Sequence, residues 1–211
     1  MAVCASEKLI VDVNVTEYFR KSVAMAVVNQ SVDTSEDTMS YVVNLLTRFA
    51  DSNAFFHEQD EGSRVTPLAK LYARAVEMQS EFERRQAMRR LGDVALFVAG
   101  LFADSLRNRP VDIDYYIGMG GAAYGYVSDS LKGRERDDLY REVFAELAAR
   151  FTVFVDILAE VSEQSALGSN PDWLRIHEIW IKTGSRRAAK KLREHKIHPA
   201  IFASSHSQRH H

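Results

Sequence analysis

The sequence predicts an all-α fold, a single-domain bundle of about seven helices. Three observations carry that expectation. Apolar residues recur at spacings of three and four over most of the chain, as they do on helices with one buried face. Only four prolines punctuate 211 residues, too few for a turn-rich β fold. Leu9 to Val15 alternates loosely as a short strand does, but no second alternating segment exists to pair with it.

Residues 1–13 are expected to form a tail or short extended segment, 14–199 the helical domain, and 200–211 a disordered tail. Asn14 or Thr16 caps a helix running to about Asn29, with Phe19, Val23, Ala26 and Val27 on one side. Thr34-Ser35-Glu36-Asp37 reads as a capping box opening a helix with the stripe Met39, Val42, Leu46 and Phe49. Asn53 to Arg64 is the most polar internal loop. Thr66-Pro67 then starts a helix, with proline in the first turn where its missing N–H costs nothing. Leu68, Leu71, Tyr72, Ala75 and Phe82 carry the period toward Gly92, a point of bending or interruption.

Leu91 to Leu131 is the stretch around which the rest is organised. It holds six of the ten glycines, and Val94 to Ala103 has no polar side chain. These features predict two central helices whose glycines let neighbouring backbones come close. After Arg107–Pro110 breaks the chain, Asp112 caps a helix with the stripe Ile113, Ile117, Gly120, Tyr124, Val127 and Leu131, closed by Lys132-Gly133. Arg134 to about Ala166 reads as the longest helix, about 45–50 Å. Its seam is Leu139, Val143, Leu147, Phe151, Phe154, Leu158 and Val161. Asn170-Pro171 starts a helix burying Trp173, Ile176 and Trp180. Thr183-Gly184-Ser185 interrupts it, and a basic helix follows, closed by His198-Pro199.

The bulk numbers exclude several classes. With 46% hydrophobic and 27% charged residues the chain is ordinary globular protein rather than disordered or fibrous. The lone cysteine, Cys4, cannot form an internal disulfide, and the first residues lack the basic start and apolar run of a secretory signal. The longest apolar run is about half a membrane span. A cytoplasmic protein without membrane contact is therefore expected. Charge is unevenly spread: the first 171 residues carry 18 Lys/Arg against 26 Asp/Glu, and the rest carry nine against three. An acidic body with a basic end points to mutual attraction within the protein or between copies of it, or else to contact with nucleic acid or another acidic surface.

Gly118-Met119-Gly120-Gly121-Ala122-Ala123 matches the dinucleotide fingerprint, but that motif needs a strand before it and a βαβ unit around it. Here a helical stripe runs through the glycines. Asp137-Asp138 resembles half of a magnesium–diphosphate motif; its simpler role is to complement the dipole of the helix it opens. The seven histidines form no Glu-x-x-His pair, and His195 with His198 makes a poor metal site without a third ligand. No catalytic residue, metal or cofactor is assigned. Asp93, Tyr116, Gly120 and Tyr124 are the candidates for a small aromatic-lined pocket, with core tyrosines and a structural acid paired to an arginine or tyrosine as the commoner arrangement. Ser185, Arg186, Arg187, Lys190, Lys191 and Arg193 are the candidates for contact with nucleic acid or another anion, in a helix–turn–helix outline.

The combination LGDxxLFxxGxF from Leu91 to Phe102, Tyr115 to Gly120 with Ala123-Tyr124, and Trp180 with Thr183-Gly184-Ser185 resembles bacterial conserved proteins of unassigned function. That resemblance spans about residues 67–199 and implies a bacterial cytosolic setting, with no activity to carry over. The function expected from the sequence is non-enzymatic, through binding another protein or self-association. The alternatives are nucleic-acid binding by the basic C-terminal helix and ligand binding or catalysis in the tyrosine-lined pocket.

Overall fold

The computed structural model describes residues 3–50, 68–106, 112–133, 137–165 and 173–194. Among them the secondary structure is helical, so the all-α expectation holds. The chain divides into two compact units, Met1–Ser169 and Asn170–His211. Within the first lie α1 (Val3–Asn29), α2 (Glu36–Ala50), α3 (Leu68–Glu77), α4 (Glu81–Leu101), α5 (Ile113–Ser130), α6 (Asp138–Ala149) and α7 (Phe151–Ser165). The second contains α8 (Trp173–Thr183) and α9 (Arg186–Glu194).

Among the described residues there are nine α-helices where about seven are expected, because two predicted helices are each broken once. The helix expected to run from Pro67 into the centre stops at Glu77, and α4 restarts after Ser80, whose backbone is extended (φ −82°, ψ 130°). Gly92, the expected weak point, lies inside α4 without interrupting it. The second break falls at Arg150 (φ −122°, ψ 29°), between α6 and α7. Here the Arg150 side chain donates to the Asp33 carbonyl and to Glu146 Oε1 (3.0 Å). Its own carbonyl accepts from two N–H groups of the first turn of α7, Val153 and Phe154. The apolar seam continues across the corner, with Val143, Leu147, Phe151, Phe154, Leu158 and Val161 all buried and only Leu139 exposed.

The N-cap of α2 lies one residue later than expected, and it acts without the reciprocal bond of a capping box. Ser35, not Thr34, takes the Thr38 N–H on its hydroxyl (3.1 Å), and the Thr38 hydroxyl donates to Glu146 Oε2 (2.7 Å). Burial alone would push the Glu146 carboxyl up. Hydrogen bonds from Thr38 and Ser35, with the Arg150 guanidinium, outweigh it and hold its pKa below the usual value. Leu9 to Val15 is helical, part of α1, so no strand exists there. At the other end of α1, the Asn29 and Gln30 amides donate to the Glu160 carboxylate of α7 (2.8 and 2.7 Å). Asp112 caps α5 as expected, its carboxylate accepting from the Ile113 N–H at 2.7 Å. The loops at 53–64 and 107–110, the Thr66-Pro67 and Asn170-Pro171 starts and the C-terminal tail lie outside the described residues.

At the centre of the first unit α4 packs against α3, α5 and α7, while α1 packs on α2 and α7. Three glycines set these approaches. A Cβ on Gly92 would meet the Tyr124 ring at 2.6 Å; one on Gly100 would collide with Leu158; one on Gly120 would strike the Phe151 ring and the Ala95 methyl (2.8 Å). Gly121 is different: a Cβ there would rest 3.5 Å from the Ala148 carbonyl, an ordinary contact, and at Gly118 it would enter open space.

In the second unit, Gly184 adopts φ +65°, a left-handed conformation that costs glycine little, and its N–H closes α8 on the Trp180 carbonyl (2.9 Å). Ser185 then caps α9, its hydroxyl accepting from the Ala188 N–H at 3.0 Å. Ile176 and Trp180 are half-buried, and the Trp173 side chain lies outside the described residues.

Candidate functional site

The buried polar centre of the first unit grows out of α4. Asp93 interrupts an otherwise apolar stretch and lies one turn after Arg89, so both side chains leave the same helix face. From α2, Tyr41 and Arg48 stand two turns apart and reach the same carboxylate. Tyr124 arrives from α5, its ring seated on the bare face of Gly92. The Tyr41 hydroxyl donates to Asp93 Oδ1 at 2.5 Å and the Tyr124 hydroxyl donates to the same oxygen at 2.8 Å. Arg48 Nη2 lies 3.3 Å from Oδ2, and Arg89 Nε donates to the Tyr41 hydroxyl oxygen at 3.2 Å. Phe144 of α6 packs edge-on against Tyr41 (5.2 Å between centroids) and tilted against Tyr124 (5.5 Å), closing the cluster in apolar surface.

Burial drives the Asp93 carboxyl above its usual range. The Tyr41 and Tyr124 hydrogen bonds and the Arg48 and Arg89 charges pull the other way without cancelling it. Both phenols are also held well above their ordinary value, by burial first and the Asp93 charge second. They are therefore neutral donors, and no tyrosinate nucleophile is favoured. With two hydroxyls on one oxygen and a guanidinium at the other, the carboxylate has its hydrogen-bonding capacity largely engaged. The arrangement ties α2, α4 and α5 together at one point.

A pH dependence follows from the signs. Folded Asp93 keeps its proton to higher pH than unfolded Asp93, so the native state binds more protons. Its contribution to stability falls as pH rises from the usual carboxylate range, near 4, through its raised folded value. Glu146 acts in the opposite sense, its contribution being lost as pH falls through its depressed folded value. Denaturant midpoints measured against pH should show the first slope in the wild type and lose it in Asp93→Asn. An unchanged slope in the variant would mean that Asp93 titrates normally.

Of the four pocket candidates, Asp93 and Tyr124 are in direct contact. Over Gly120, a candidate lining position of the pocket, stands the Phe151 ring. Tyr116 is buried and meets Tyr115 edge-on at 5.9 Å. Tyr41, Arg48 and Arg89 complete the cluster and were not among the sequence candidates. The Arg89–Asp93 spacing of four was the signal that could have found one of them.

The six basic-end candidates occupy the start and length of α9. Ser185 is buried and its hydroxyl is used by the cap. Arg186, Lys190 and Arg193 are exposed, whereas Arg187 and Lys191 are half-buried. Among the described residues no helix is long and apolar enough to cross a membrane. Comparison with protein-family models, curated proteins and solved structures finds no match.

Proposed function

We propose that the protein acts by docking another protein or a second copy of itself, with the outer face of α3 as the contact surface. One observation carries this reading. On a helical wheel at 100° per residue, the apolar residues of α3 occupy an arc of about 200°, from Leu71 through Leu68 to Ala73, where a surface helix needs about 100°. Leu68, Leu71 and Ala75 account for the buried part of that arc. Ala69, Tyr72, Ala73 and Val76, at spacings of three, one and three, form a second apolar face that is exposed, with Tyr72 at 47% and Val76 at 52%. Lys70, Arg74 and Glu77 supply the remaining polar edge. Tyrosine is enriched at docking surfaces, and the small side chains of Ala69 and Ala73 leave its ring open to a partner.

The Asp93 cluster favours a structural over a catalytic role, because its acid, its phenols and its guanidinium groups are spent on one another. Sedimentation velocity over a wide concentration range tests the homotypic form of the proposal. The wild type is expected to associate as concentration rises, and Tyr72→Glu with Val76→Glu to stay monomeric with unchanged helical circular dichroism. Association that survives both substitutions would place the contact elsewhere.

A further inference from the structure

We infer that the second unit carries a contact surface for the phosphate backbone of nucleic acid, formed by Arg186, Lys190 and Arg193 on α9. Residues 173–194 hold seven Lys/Arg and two Asp/Glu, so the unit is strongly cationic. The three exposed cations recur at spacings of four and three and therefore share one face. At 1.5 Å per residue they extend over about 10 Å, the reach of roughly three phosphates along one strand.

The makeup of the face selects among anionic partners. A helix that lies on a membrane needs its apolar side free to enter the lipid, and the apolar side of α9 is already used: Ala188, Ala189 and Leu192 are buried. A protein interface needs an apolar or aromatic centre inside a polar rim. The exposed positions of α9 are Arg186, Lys190, Arg193 and Glu194, with no such centre. A stripe of three cations, with Glu194 off its line, suits backbone phosphates, which position a protein without reading sequence. The sequence reading of five basic contacts thus narrows to three, and Ser185 leaves the set because its hydroxyl caps the helix.

Fluorescence anisotropy of a labelled mixed-sequence DNA duplex against the full-length protein, as a function of salt, tests this. Three phosphate contacts give a log–log salt slope of about −2.7, a loss of about 40-fold in affinity between 50 and 200 mM salt. Arg186→Ala with Lys190→Ala and Arg193→Ala should bring the slope close to zero and abolish binding at 200 mM. Arg20→Ala with Lys132→Ala, two exposed cations of the first unit, should leave both unchanged. Circular dichroism confirms that each variant folds. Absence of binding by the wild type at low salt, or equal loss in the two variants, would overturn the assignment. Binding of phosphatidylserine vesicles or polyglutamate as tightly as the duplex would overturn it in favour of a membrane or acidic-protein partner.

Discussion

Asp93→Ala is expected to destabilise the protein by about 3–5 kcal/mol, the cost of removing one partner from a buried charged cluster. The magnitude comes from what the substitution leaves behind. The fully buried Tyr124 hydroxyl loses its acceptor, Tyr41 loses its own, and the partly buried Arg89 guanidinium loses its counter-charge. The neighbours rank by burial. Tyr124→Phe removes one hydrogen bond to a charged group and should cost about 1.5–3 kcal/mol. Arg48→Ala should cost less than about 1 kcal/mol, because the Arg48 side chain is half exposed and its attraction is screened. Urea unfolding of the three variants checks the order. Equal losses at Asp93 and Arg48 would mean that the cluster acts as a surface ion pair and does not hold three helices together.

A second large effect is expected at Gly120. Alanine there forces a methyl group into the Phe151 ring and the Ala95 methyl. Overpacking of this kind costs about 1–3 kcal/mol, more than the roughly 0.5–1 kcal/mol that alanine gains over glycine within a helix. Leucine must also push α4 or α7 away from α5, a loss large enough to threaten a fold whose total stability is about 5–15 kcal/mol. At Gly118 the balance reverses: nothing stands near the new Cβ, so Gly118→Ala should stabilise by up to about 1 kcal/mol. Gly121→Ala should fall near zero or slightly positive. Thermal melts of the Gly118, Gly120 and Gly121 alanine variants, measured together, separate close packing from mere helical glycine. Equal shifts at Gly118 and Gly120 would refute the close approach.

The helices were legible because burial writes itself as periodicity. The stripe from Ile113 to Leu131 and the seam from Val143 to Val161 are both largely inside the fold. The breaks at Ser80 and Arg150 were not legible, since neither residue is a helix breaker. Arg150 turns the chain through bonds to Asp33 and Glu146, and Asp33 is more than a hundred residues away. The N-terminal segment failed for a related reason: a loosely alternating run is compatible with a strand until the helix beside it claims it. At the site, Asp93 and Tyr124 stood out because polar atoms in an apolar context are conspicuous. Tyr41 and Arg48 did not, because their role depends on how α2 is rotated against α4, which one-dimensional spacing does not record. Gly120 and Gly121 looked alike in the sequence for the same reason. Only the packing of Phe151 distinguishes them.

The exposed face of α3 is the surface on which the proposed docking rests. Its polar edge and buried edge are those of any amphipathic helix, and the additional apolar arc between them is what a partner would cover. The most direct test is a photo-crosslinking residue placed at Tyr72 in the full-length protein within the cells that make it, with Gln86 on the exposed side of α4 as the control position. The proposal predicts discrete covalent adducts from position 72 and none from position 86. Their masses would identify either a second copy of the chain or one defined partner, and Val76→Glu should abolish them. No adduct at position 72, or the same adducts from both positions, would contradict docking through this face.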